Sequence, residues 1–199
     1  ENNSDTISGV SFDFTAFGGG SAAAATNNGS GVWSASYTIV SATTIDATAL
    51  NISATVTDNA GNTTTTTDSS GASVDRIAPT LTDGYLSISG ATGSSGTYKI
   101  GDTITATWDN STAGENNSDT ISGVSFDFTA FGGSSAITAT ESAGIWTATY
   151  TIVSATTIDA TGRNISATVT DNAGNTTTTA DSTGAVSYTH LRAHETEAD

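Results

Sequence analysis

Trp146-Thr147-Ala148-Thr149-Tyr150-Thr151-Ile152 is the stretch that decides the fold. Apolar residues hold every second position and threonine fills the gaps. A period of two places one set of side chains on each face of an extended strand, whereas a helix would repeat every three to four residues. The same alternation runs outward from this stretch. Ile100, Ile104, Ala106 and Trp108 are set against Thr103, Thr105 and Thr107; Val124, Phe126 and Phe128 against Ser125, Asp127 and Thr129; Ile165, Ala167 and Val169 against Ser166, Thr168 and Thr170. Leu86 and Ile88 open the series, a short strand is expected near Ile137–Thr140, and a Thr-rich one from Asn175 to about Ser182. The predicted core is Trp108, Phe126, Phe128, Trp146, Tyr150, Ile165 and Val169.

Apolar-in, Thr-out strands joined by Gly-, Ser-, Asn- and Asp-rich turns read as antiparallel sheets packed face to face. About seven strands in roughly 110 residues is the size of an Ig-like sandwich. The sequence also repeats itself. Glu1–Gly19 returns unchanged as Glu115–Gly133, Tyr37–Thr48 as Tyr150–Thr161, and Asn51–Thr66 as Asn164–Thr179. A period of 113 to 114 residues is a whole domain, since solenoid and propeller units recur every 20–50 residues. The expected organisation is an all-β chain of tandem Ig-like β-sandwiches. Residues 1–73 form a copy lacking its first two strands, and residues 74–185 a complete copy.

After Ala185 the repeat predicts a continuation like Ser73-Val74-Asp75-Arg76. Instead, Val186–Thr196 resembles, over eleven consecutive residues, the translation of a transposase-based sequencing adapter. Residues 186–199 are therefore set aside as a non-native tail, expected to be disordered or an incidental helix. Both histidines, His190 and His194, fall inside it.

Composition excludes several functions. Twenty acidic residues face only Lys99, Arg76, Arg163 and Arg192, giving a net charge of −16. Such a surface repels nucleic acid and anionic membranes. No 18-residue apolar run exists to span a membrane. Without cysteine there is no disulfide or thiolate, and without the tail no histidine; a single lysine remains. The usual nucleophile–base pairs cannot be assembled from this set, so the chain is not expected to be an enzyme.

Up-and-down strand order places three loops at one pole: Asp109–Thr120, Ser142–Gly144 and Asp171–Asn175. The linker Val74–Pro79 arrives at the same pole. Asp75, Asp109, Glu115, Asp119 and Asp171 are thereby predicted to converge where one domain joins the next. Two carboxylates 4 Å apart repel by about 1 kcal/mol in water and about 4 kcal/mol near a protein surface. Ca²⁺ converts that repulsion into binding, and Asn110, Asn172 and Asn175 could add oxygens. Asp171-Asn-Ala-Gly-Asn175 is equally a competent hairpin turn, with Gly174 supplying a positive φ. Turn alone and turn plus calcium both remain open.

Asp-Asn-Ala-Gly-Asn at 58–62 and 171–175, Val-Asp-x-x-Ala-Pro at 74–79 and Ile-Gly-Asp-Thr-Ile at 100–104 resemble bacterial Ig-like repeats of large secreted adhesins, including the repeat-in-toxin type. The resemblance covers residues 1–185. It implies an extracellular or cell-surface stalk whose partners are neighbouring copies of the same repeat. The adhesive target would lie elsewhere, and interdomain Ca²⁺ would stiffen the joints with Asp75 and Asp171 among the ligands. Asp109 and Glu115 are candidates on loop geometry alone. The rival is a carbohydrate-binding Ig-like module, which would need exposed aromatics; Tyr85, Tyr98 and Phe131 are the candidates off the strand faces. Outward Thr rows such as Thr103, Thr105 and Thr107 also suggest an ice-binding face, against the ordinary reading of solvent-facing strand residues.

Overall fold

A computed structural model describes residues 6–40, 44–153, 160–182 and 184–188. The chain divides into two compact units, unit 1 ending at Ile77 and unit 2 beginning at Ala78.

In unit 1 the strands are β1 (Ile7–Asp13), β2 (Ala23–Ala24), β3 (Thr26–Asn27), β4 (Trp33–Ser34), β5 (Ala47–Leu50), β6 (Ser53–Asp58), β7 (Thr63–Thr67) and β8 (Ala72–Val74). They form one four-stranded sheet, β2-β1-β6-β7, and the pairs β3-β4 and β5-β8.

Unit 2 continues with β9 (Leu86–Ser89), β10 (Thr97–Lys99), β11 (Thr103–Asp109), β12 (Ile121–Asp127), β13 (Ile137–Thr138), β14 (Thr140–Ser142), β15 (Ile145–Thr151), β16 (Ala160–Arg163), β17 (Ser166–Asp171), β18 (Thr176–Ala180) and β19 (Ala185–Tyr188). Two four-stranded antiparallel sheets result, β14-β15-β11-β9 and β13-β12-β17-β18. The chain passes from one to the other at Ala139, the single residue between β13 and β14, which is itself buried. The inner faces share one core. Ile104, Ala106, Trp108 and Ala148 come from the first sheet and Val124, Phe126, Ala167 and Val169 from the second. This is a sandwich-type all-β architecture.

Most of the expected core is fully buried: Trp108, Phe126, Phe128 and Val169 are 0% exposed and Ile165 is 1%. Trp146 and Tyr150 are half-buried against that core. Trp108 pairs across the ladder with Trp146, whose other neighbour, Glu141, lies on the edge strand, where cover is thinnest. Ile100 sits in the turn before β11, where Asp102 N–H donates to Lys99 O at 3.0 Å, rather than in the strand.

Two expectations are corrected. Tyr98 (2% exposed) and Phe131 (0%) are core residues in edge-to-face contact, with centroids 5.7 Å apart. They lie outside long strands, so alternation gave no sign of their burial. The tail is also neither disordered nor helical at its start, because residues 186–188 extend β19. That strand pairs antiparallel with β16 and parallel with β10, the one parallel ladder among the described residues. The reason is visible in the repeat: Ala160↔Ser187 and Arg163↔Ala185 reproduce the register Ala47↔Val74 and Leu50↔Ala72. A ladder is made of backbone groups, and the sequence Ala-Val-Ser-Tyr, carrying two good strand formers, enters the slot as readily as Ala-Ser-Val-Asp.

Candidate functional site

The three predicted loops of unit 2 are tied together by backbone bonds. Asn110 N–H donates to Gly144 O at 2.9 Å and Asn172 N–H to Thr120 O at 3.1 Å. Gly144 is required at this contact: its φ is +84°, and a Cβ there would stand 2.8 Å from Ser111 Cα.

Within the first loop, Glu115 N–H donates to Asp109 O at 2.9 Å, bringing those two residues together through the backbone. Asp109 Oδ1 accepts the Ser111 N–H at 2.9 Å, and hydrogen bonds from Ser111 hold its carboxyl below the ordinary range. Glu115 reaches back to the segment entering unit 2, its Oε2 accepting both the N–H (2.8 Å) and the hydroxyl (3.1 Å) of Thr82. Asn110 Oδ1 accepts from Asn117 N–H and Nδ2, each at 2.9 Å. Asn117 in turn grips Thr80 at both backbone groups, accepting its N–H at 2.7 Å and donating to its carbonyl at 2.9 Å.

Asp171 is 1% exposed and closes its own turn. Oδ1 accepts from the N–H groups of Ala173 and Asn175, both at 2.8 Å, and Oδ2 from Asn175 Nδ2 at 2.9 Å. Burial pushes this carboxyl up, but the hydrogen bonds from Asn175, Ala173 and Gly174 together outweigh it and hold the group below the ordinary carboxylate range. A carboxylate has about four acceptor positions, so the turn uses most of them. Gly174 has φ +93°, as the turn requires. Asp58 makes the same three bonds in unit 1, each at 2.8 Å. A β-bulge beside each turn is likewise duplicated: Ser122 Oγ donates to Asp171 O at 2.5 Å and Ser8 Oγ to Asp58 O at 2.7 Å.

Asp75 belongs to unit 1, where its Oδ1 accepts the Ile77 N–H at 3.1 Å. Asn172 is exposed and Asn175 half-buried, its amide spent on Asp171. Among the described residues, no three His, Cys, Asp or Glu side chains gather as a metal site.

Sequence reasoning missed how the entering segment is held. Pro79 has no N–H to give to a ladder, and β18 grips the segment by side chains instead. Thr177 Oγ1 donates to Pro79 O at 2.5 Å and Thr179 Oγ1 to Leu81 O at 2.9 Å; Ser182 N–H donates to Asp83 Oδ1 at 2.7 Å, and its hydroxyl bonds Asp83 as well. The signal was present in the period of two, which turns Thr177 and Thr179 to the half-buried face of β18.

No protein-family model matches the chain, and no curated protein matches it in sequence. No helix among the described residues is long and apolar enough to cross a membrane.

Proposed function

We propose that this chain is a pair of Ig-like extender repeats from the stalk of a bacterial cell-surface or secreted adhesin, with calcium stiffening the joints between repeats. The observation that carries the reading is the duplication itself. Turn, bulge and ladder register recur bond for bond in both units. Repetition of a whole domain supplies length and spacing, which require no active site. The two strand orders of unit 2 support an Ig-like topology. With β9, β11, β12, β14, β15, β17 and β18 taken as strands A to G, one sheet reads D-E-B-A and the other holds C-F-G.

The entering segment supports a load-bearing role. Clamped by Asn117, Glu115, Thr177 and Thr179, it is fastened to its unit at residues 79–82. A net charge of −16 suits a salty, extracellular setting in which cations screen the acidic surface. A sugar-binding module gains little support, since Tyr98 and Phe131 are core and only Tyr85, 40% exposed, remains of its three candidate aromatics.

The test is small-angle scattering and thermal melting of the intact chain with Ca²⁺ and then with chelator. Extended particles that loosen on chelation, together with a lower melting temperature, are expected. Binding at 100 times the dissociation constant stabilises by about 2.7 kcal/mol. Identical curves in both conditions would remove calcium and leave a plain acidic spacer. Substitution of Asp75 by Asn should abolish the response without altering unit 2's own melting.

A further inference from the structure

We propose that Asn116 is an acceptor for N-linked glycosylation, the modified residue of an exposed Asn116-Asn117-Ser118 triplet in the loop after β11. The inference is independent of the adhesin reading, because it rests on the triplet and on the bonds around it.

Asn-x-Ser/Thr is the sequence an N-glycosyltransferase accepts, where the asparagine lies on the surface. The chain holds eight such triplets, beginning at Asn2, Asn28, Asn51, Asn62, Asn110, Asn116, Asn164 and Asn175. In a chain this rich in Asn, Ser and Thr the triplet alone selects nothing; the fold does. Asn62 and Asn175 spend their amides on Asp58 and Asp171, at 2.8 and 2.9 Å. Asn51 and Asn164 are half-buried, and their Oδ1 atoms accept the N–H groups of Gly71 and Gly184, each at 2.8 Å. Asn110 Oδ1 is taken twice by Asn117. A sugar on any of these five would disturb a bond that holds a turn or loop in place. Asn28 Nδ2 donates to Ser34 Oγ at 2.8 Å, and Asn2 lies outside the described residues.

Asn116 differs from all of them. It is exposed, and its side chain makes no hydrogen bond among the described residues; the same holds for Ser118. The residues on either side are pinned, Glu115 to Thr82 and Asn117 to Thr80. Asn116 itself has φ +52°, a left-handed conformation that asparagine adopts more readily than most residues. Its neighbours hold the loop, so the Asn116 amide is left over for chemistry. The donor would be a sugar activated at its anomeric carbon by a diphosphate. A bond forms from Asn116 Nδ2 to that carbon while the carbon–oxygen bond to the diphosphate breaks. The diphosphate departs with the electron pair, and one amide hydrogen leaves as a proton to the transferase. No bond of the folded unit is given up. Because Glu1–Gly19 repeats as Glu115–Gly133, the triplet recurs at Asn2, one copy in each repeat.

The experiment incubates the folded full chain with a soluble N-glycosyltransferase and UDP-glucose, and locates added hexose by peptide mass mapping. An unrelated acceptor peptide in the same tube shows the transferase to be active. Hexose is expected on Asn116 ahead of Asn28, Asn51, Asn62, Asn110, Asn164 and Asn175, with the melting temperature of unit 2 unchanged. Asn116→Asp keeps a residue suited to a positive φ but removes the amide, and Ser118→Ala removes only the hydroxyl. Each should abolish addition at this site without lowering the melting temperature. No hexose on Asn116, or hexose that reaches any of the six other sites first, overturns the proposal. Hexose that persists on Asn116 in the Ser118→Ala chain overturns it as well, since addition would then not depend on the triplet.

Discussion

Glu115 Oε2 holds Thr82 by both its backbone N–H and its hydroxyl, at 2.8 and 3.1 Å. One carboxylate thus ties the loop after β11 to the segment that enters unit 2, thirty-three residues earlier in the chain. Glu115→Ala should release that segment, costing about 1–2 kcal/mol as charge-assisted bonds at a half-exposed site are lost. The check is faster amide exchange at Thr82, with Thr80 retained by Asn117. Unchanged exchange at Thr82 would show the contact to be incidental.

Asp171 and Asp58 build the same turn in two environments, one buried and one half-exposed. Asp171→Ala takes the buried acceptor from the N–H groups of Ala173 and Asn175 and should destabilise unit 2 by about 2 kcal/mol. Asp58→Ala should cost less, since water can replace the lost acceptor. Equal losses at the two positions would mean that burial does not set the value of this turn.

The acid limb of stability follows from the same carboxyl. Asp171 and Asp102 are both held below their ordinary range although burial, the largest influence on each, pushes them up. Hydrogen bonds from Asn175 in one case and from Thr92 and Lys99 in the other prevail. A group whose folded pKa is depressed contributes stability that is present above its unfolded value and is lost as pH falls through the folded one. Melting temperature should therefore stay level from neutral pH to about pH 5 and fall below about pH 4. Asp171→Asn should shrink that fall, and an unaltered acid limb would assign it to other carboxylates.

The fold was legible where apolar residues alternate over five or more positions, as in β11, β12, β15 and β17. The parallel edge was not. Thr97–Lys99 and Ala160–Arg163 are three and four residues long and show no alternation, so only their partners define them. Burial of Tyr98 and Phe131 escaped for the same reason, since each lies in a segment too short to have a period. At the pole, strand counting brought the right loops together, but the use of each carboxylate depends on loop register. Asp171 turns inward to its own N–H groups and Glu115 outward to Thr82, a difference that residue type does not encode.

Gly144 marks the closest approach between two of those loops. Gly144→Ala adds both a residue at φ +84° and a Cβ 2.8 Å from Ser111 Cα. A left-handed conformation alone costs an L-residue about 1–2 kcal/mol, and the close contact adds to it. Loss of the Asn110 N–H to Gly144 O bond, read as faster exchange at Asn110, should accompany the fall in stability. An unchanged melting temperature would show that the loops can part freely.

The last prediction concerns the tail, whose sequence departs from the repeat and whose first residues nonetheless complete a sheet. β19 lies between β10 and β16, so removing it leaves both with an unpaired edge. Truncation after Gly184 should therefore lower the melting temperature of unit 2, whereas truncation after Tyr188 should leave it unchanged. Replacing Ala185–Tyr188 by Ala-Ser-Val-Asp, the residues that stand at 72–75, should preserve stability, since the slot reads backbone hydrogen bonds rather than side chains. Amide exchange at Thr97–Lys99 separates the cases: protection should vanish with the first truncation and persist with the second and with the replacement. Full protection after truncation at Gly184 would mean that these amides are sheltered without the ladder and that the tail contributes nothing to the fold.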